Sequence, residues 1–148
     1  TLEKIRGLYV PFWLADCKVD AQIDAEARIV STYTSGEYNV TRTKYYRINR
    51  AAKITYDGVP ADGSKKIEDS LMTAIEPFDY TKFEQFQMSY LSGFFADKYD
   101  VTKDEVLPNI KARISGSAEN ILMDSVVGYT SVTPEYKISA LSAQTGIM

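Results

Sequence analysis

The chain has 148 residues, 45% of them hydrophobic and 25% charged, and carries a net charge of −3. That is the size of one ordinary domain, long enough to bury about 68–70% of its unfolded surface, with the composition of a globular protein rather than a disordered one. Histidine is absent and Cys17 stands alone, which excludes Ser-His-Asp and Cys-His catalysis, an internal disulfide and a cysteine zinc site together.

Eleven tyrosines against one tryptophan favour β structure, because tyrosine suits a half-buried pleated surface. The run from Leu8 to Cys17 predicts a buried strand that Pro11 pushes towards a sheet edge or bulge. Val19, Ala21, Ile23, Ala25, Ala27, Ile29, Ser31 and Tyr33 then alternate with Asp20, Gln22, Asp24, Glu26 and Arg28, the pattern of a strand with one dry face. Ser35-Gly36-Glu37 reads as a turn, Tyr38 to Asn49 as a third strand and Arg50 to Tyr56 as a fourth, closed by the hairpin signal Asp57-Gly58. Four strands in succession predict an antiparallel meander.

Beyond Val59 the pattern changes. Ile67, Leu71, Ala74 and Ile75 suit one face of a short helix ended by Pro77, with Ser64 or Asp69 as caps. Tyr80 to Tyr90 reads as irregular with one helical turn, and Leu91 to Tyr99 as the start of a helix. Thr102 and Glu105 have capping-box spacing, opening a longer helix with Val106, Ile110, Ile114, Ala118, Ile121 and Leu122 at helical intervals. Ser125 to Thr133 reads as a last strand, stopped by Pro134.

Three groups of residues are candidates for a role. Between Arg42 and Lys53 lie five cations (Arg42, Lys44, Arg47, Arg50 and Lys53) and no acid; with the whole chain at −3, the remainder carries −8. Cations interleaved with Tyr45 and Tyr46 on a strand suit single-stranded nucleic acid, through phosphate contacts and base stacking, or else discourage edge-to-edge strand pairing. A second reading has Trp13 and Phe94 lining an apolar cavity between a curved sheet and a helix, a helix-grip arrangement for a small molecule. A third places acid–base chemistry on Glu76 and Asp79. That chemistry needs burial to split their pKa values, whereas Asp79 is better suited to capping the next turn, with Phe78 and Tyr80 anchoring a proline loop. Asp97, Asp100, Asp104 and Glu105 lack the spacing of a calcium loop. No phosphate-cradling glycine loop is present.

Four segments carry a family resemblance: Gly7 to Leu14, Val59 to Lys66, Leu71 to Tyr80 and Tyr90 to Val101. Over Ile5 to Val132 the chain resembles the middle region of an uncharacterised bacterial family with a zinc ribbon upstream and a hydrophobic, membrane-spanning tail downstream. Its members are labelled replication-restart helicases or TFIIB-type zinc-ribbon proteins. The resemblance implies a cytoplasmic protein, or one held at the cytoplasmic face of the membrane by a segment outside this chain, and it supplies no catalytic residues.

The expectation is therefore a single α+β domain over residues 1–148, excised from a longer protein. An antiparallel meander from the N-terminal half is covered by helices from the C-terminal half. Its function is that of a non-enzymatic binding or interaction module without cofactor or metal, linked to DNA replication by label only. Its partner is a protein or single-stranded nucleic acid, contacted through Arg42, Lys44, Tyr45, Tyr46, Arg47 and Arg50.

Overall fold

A computed structural model describes the backbone of residues 6–147 and the side chains of residues 6–139 except Asp69; Ile5, where the resemblance begins, lies outside that range. In chain order the elements are β1 (Leu8–Tyr9), β2 (Phe12–Ser35), β3 (Tyr38–Asp62), α1 (Asp69–Ala74), 3-10 turns at Tyr80–Lys82 and Met88–Leu91, β4 (Phe95–Ala96), α2 (Lys103–Asp124) and β5 (Ser131–Ile147). This is a mixed α+β chain with an antiparallel sheet. Two compact units divide it. Unit one is drawn from Thr1–Asp16, Tyr56–Lys111 and Ala143–Met148, and unit two from Cys17–Thr55 and Ala112–Ser142.

In unit two, three strands run in the order β3-β2-β5. The alternation in β2 sets its faces: Cys17, Val19, Ala21, Ile23, Ala25 and Ala27 are buried, while Lys18, Gln22, Glu26 and Arg28 between them are exposed. Ile48 from β3 and Ile114, Ala118 and Leu122 from α2 complete the core of this unit. Gly36, at φ +63, opens the two-residue turn from β2 into β3, as a tight hairpin requires. Side-chain contacts between Thr34 and Asn39 (3.2 Å), Thr32 and Thr41 (3.5 Å), and Asp24 and Asn49 hold one register along the hairpin. Strand β5 enters beside Arg28, whose carbonyl accepts from the Thr130 amide at 2.8 Å and whose Nε donates to Ser131 Oγ at 2.6 Å.

Four expected elements are corrected. From Phe12 onward the two strands expected over Leu8–Tyr33 merge into β2, because the alternation continues unbroken through Asp16, Cys17 and Lys18, while Leu8–Tyr9 forms the separate strand β1 and is exposed rather than buried. The strands expected over Tyr38–Tyr56 merge into β3, and Asp57-Gly58 lies within it rather than at a turn. Leu91–Tyr99 is not helical: Gly93, at φ +83, follows a 3-10 turn, and Phe95–Ala96 pairs in parallel with Leu8–Tyr9. The last strand begins at Ser131, after Gly128 at φ +88, and runs through Pro134. β5 is an edge strand, the setting in which a sheet accommodates proline.

Unit one is built around close backbone approaches. Strand β3 has 25 residues against 24 in β2, and Gly58, at φ +66 in mid-strand, has the backbone conformation of a glycine bulge. The Gly63 amide donates to the Pro11 carbonyl at 3.0 Å, and a Cβ at Gly63 would stand 2.7 Å from that oxygen. Trp13 is buried, donates from Nε1 to the Val101 carbonyl at 2.9 Å and meets Tyr99 edge-on. In α1 it is Met72 that is buried, while Leu71 and Ile75 are exposed, so the expected face of that helix points to solvent.

Helix α2 follows its sequence pattern except at Ile121, expected on the apolar stripe but exposed, because Leu122 takes the buried position of that turn. The Thr102 amide donates to Glu105 Oε2 at 2.7 Å and the Glu105 amide donates to Thr102 Oγ1 at 3.3 Å, a reciprocal capping box. Val106 and Ile110 are buried in unit one, and Ile114, Ala118 and Leu122 in unit two. Among the described residues no helix is long and apolar enough to cross a membrane.

Candidate binding surface

The strand period decides where each candidate side chain in unit two points. Ile48, which is buried, marks one face of β3, and Arg42, Lys44, Tyr46 and Arg50 lie on that face at even spacing from it. Tyr45, Arg47 and Lys53 project from the opposite face. All five cations and both tyrosines are exposed. The register places Ser31 across from Arg42, Ile29 across from Lys44, Ala27 across from Tyr46 and Ile23 across from Arg50.

The two faces are electrostatically different as a result. On the face of Ile48, neither β2 between Val19 and Tyr33 nor β3 between Tyr38 and Tyr56 contributes an acid. Arg42, Lys44 and Arg50 therefore stand on this sheet surface without a carboxylate from either strand, beside Tyr33 and Tyr46. Tyr46 packs edge-to-face on Tyr129 with ring centroids 5.5 Å apart, which fixes its plane. On the opposite face the cations meet acids. Arg47 shares a groove of about 730 Å³ with Asp24, Glu26 and Glu135, and Lys137 lies 3.8 Å from Asp24. Beyond Arg28 the hairpin continues without β5, and Tyr38 and Tyr45 are 77% and 76% exposed there.

In unit one the other candidates are held in local contacts. Trp13 and Phe94 have separate partners: Trp13 packs against Tyr99, while Phe94 meets Tyr9 edge-on at 5.4 Å and lies against Gly7. Phe94 is half exposed. Asp79 caps the 3-10 turn, accepting from the Thr81 amide at 3.1 Å and the Thr81 hydroxyl at 2.6 Å. The Thr81 hydroxyl and then Lys82, 3.0 Å away, hold the Asp79 carboxyl below its ordinary range. Phe78 packs on Phe12 and the Tyr80 hydroxyl donates to the Gly58 carbonyl, so the proline loop is anchored as its sequence predicts.

The acidic run has a role that spacing alone did not reveal. Ser64 is 2% exposed; its amide donates to Asp62 Oδ1 at 2.9 Å and its hydroxyl donates to Asp97 Oδ2 at 2.5 Å. Lys66 Nζ reaches Asp97 at 2.6 Å, the Lys65 amide reaches Asp100 at 2.7 Å, and Lys65 Nζ reaches Glu105 at 2.7 Å. Lys66, then Ser64, pulls the Asp97 carboxyl down, and Lys65 with Thr102 lowers that of Glu105 to about 2. These residues fasten the loop after β3 to the segment before α2. The Asp-Gly-Ser tripeptide is a local turn signal, but its long-range partners are visible only in the fold. Among the described residues no cluster of metal-ligating side chains is present.

The four segments that carry the resemblance all lie in unit one, whereas the basic tyrosine-rich surface lies in unit two. No protein-family model matches the chain, and no solved structure matches it. The chain is similar to the Bacillus subtilis (strain 168) protein named Uncharacterized protein YdjG, with 35% identity over 131 residues. The match covers 88% of this chain and 38% of that protein, so the chain spans well under half the length of this curated relative.

Proposed function

We propose that this chain is a non-enzymatic interaction module whose contact surface is the Arg42–Lys44–Arg50 face of the β2–β3 hairpin, and that its partner is anionic. One observation carries this reading: three exposed cations share a sheet face to which neither strand contributes a carboxylate. Charges kept out of ion pairs remain available to a ligand, and their attraction for it weakens with salt. The stripe of α2 covers the dry side of β2 on this reading and stiffens the sheet that presents the cations. The module belongs to a longer bacterial protein whose zinc ribbon and hydrophobic tail lie outside this chain, at the cytoplasmic face of the membrane.

Tyr33 and Tyr46 on the same face favour a second reading, in which the anion is single-stranded nucleic acid stacking on the tyrosine rings. Fluorescence anisotropy with a labelled polyglutamate peptide and a labelled single-stranded oligonucleotide, at about 50 and 200 mM salt, tests both. The Arg42→Ala/Lys44→Ala variant should weaken binding about tenfold or more and, for the oligonucleotide, flatten the salt slope by about 1.4. Unchanged binding in that variant would remove this face from consideration. An oligonucleotide preferred over the peptide would favour the nucleic acid reading.

A further inference from the structure

Strand β3 is the terminal strand of its sheet, and among the described residues nothing pairs with its far side. Over Tyr38–Thr55 this edge contains no proline and no bulge; the first proline of the strand is Pro60 and the positive-φ glycine is Gly58. Long open edges of this kind template the addition of another strand. The two-residue turn at Gly36-Glu37 dictates which backbone groups are open. Residues closing such a hairpin exchange both backbone bonds, so the even positions from Tyr38 onward direct their amides and carbonyls at β2. The odd positions, including Thr43, Tyr45 and Arg47, direct theirs outward. The close side-chain contacts of Thr41, Asn39 and Asn49 with β2 fit this phase, since side chains approach most closely at non-hydrogen-bonded pairs.

We infer that the β3 edge accepts an extended acidic peptide as a fourth, antiparallel strand, with carboxylates at alternate positions on the face of Arg42, Lys44 and Arg50. This deepens the proposed function and rests on it. Charge selects the occupant. A second copy of β3 laid against this edge would set cations beside cations, which destabilises cross-strand pairs. An acidic strand sets carboxylates beside three cations on whose face neither β2 between Val19 and Tyr33 nor β3 between Tyr38 and Tyr56 places an acid. It also leaves undisturbed the opposite face, where Arg47 already shares a groove with Asp24, Glu26 and Glu135. Backbone bonds to the odd positions supply affinity and the alternating carboxylates supply selectivity. Nucleic acid satisfies the charges but not the row of outward amides and carbonyls.

The geometry prescribes an asymmetric test with a labelled Glu-Thr repeat peptide about as long as the Tyr38–Thr55 edge. When its glutamates face Arg42, Lys44 and Arg50, its threonine amides point at β3 and its glutamate amides point to solvent. Methylation of the threonine amides should weaken binding to the full chain about tenfold or more, and methylation of the glutamate amides should leave it within about twofold. Thr43→Pro removes one outward amide without touching the β2 ladder, so it should weaken the parent peptide while the melting curve stays that of the native chain. If the parent and both methylated peptides bind alike, and Arg42→Ala/Lys44→Ala weakens all three, the edge is refuted while the cationic face survives. Binding of a single-stranded oligonucleotide but not of the peptide would overturn the edge in favour of nucleic acid. Binding of neither would remove both the edge and the face.

Discussion

The backbone amide of Gly58 donates to the Asp16 carboxylate at 2.7 Å, while the Gly58 carbonyl accepts from the Tyr80 hydroxyl. A residue in the left-handed region is thus pinned from both sides. Any Cβ there would also stand 3.2 Å from the Tyr80 ring. Gly58→Ala should cost about 1–3 kcal/mol, from backbone strain and the tight contact with the ring. Asp16→Ala, which leaves the amide without its carboxylate, should cost about 1 kcal/mol. Urea unfolding of the two variants checks both values. A Gly58→Ala protein as stable as the native chain would show that the bulge does not need glycine.

The two isoleucines Ile110 and Ile121 of α2 offer a matched pair. Ile110 is 1% exposed and Ile121 is 45% exposed. Ile110→Ala should lose about 2–5 kcal/mol through lost burial and the cavity left behind, whereas Ile121→Ala should stay within about 0.5 kcal/mol. Equal losses would contradict the assignment of the buried stripe.

The α2 cap should be sensitive to acid. Lys65 and Thr102 hold the Glu105 carboxyl at about 2 against an ordinary value of 4.5. A depressed carboxyl stabilises the fold above its unfolded value and gives that contribution up as pH falls from about 4.5 towards 2. Asp97, lowered by Lys66 and Ser64, acts in the same direction. Melting temperatures at pH 7, about 4 and about 2.5 should fall more steeply for the native chain than for Glu105→Gln. At neutral pH, Thr102→Ala should cost about 1 kcal/mol. A Glu105→Gln protein with the native pH profile would show that the cap carries no proton-linked stability.

The loop after β3 depends on Gly63. Its amide serves Pro11, its carbonyl accepts from the Asp100 and Val101 amides at 2.9 and 3.2 Å, and its open α-carbon faces the Pro11 carbonyl. Gly63→Ala should destabilise the chain by about 1–3 kcal/mol, because an added methyl 2.7 Å from a backbone oxygen forces the segments apart. Full native stability in that variant would mean the loop has room to shift.

What could be read in the sequence was periodic and local. The alternation from Val19 to Ala27 and the stripe from Val106 to Leu122 record which sides are dry, and the capping box is complete within four residues. What could not be read depends on distant partners. Asp57-Gly58 carries a hairpin signal, yet Asp16 and Tyr80 hold it inside a strand. Phe94 and Phe95 have helix-like spacing with Leu91, yet β1 takes Phe95 into a parallel ladder. Pro134 stops a strand by propensity, but an edge position excuses it. The cations of β3 were apparent as a group, and so was their division by strand period. That neither β2 nor β3 places an acid on one shared face followed only from the register between them.

The burial of Cys17 has a practical consequence. The chain has one thiol, placed in β2 and 3% exposed. A reagent that attacks thiolates reaches it only when the strand opens, so its labelling rate under native conditions reports the opening free energy of that part of the chain. The protein thus contains its own probe of local opening, at a position where no substitution is needed to install one.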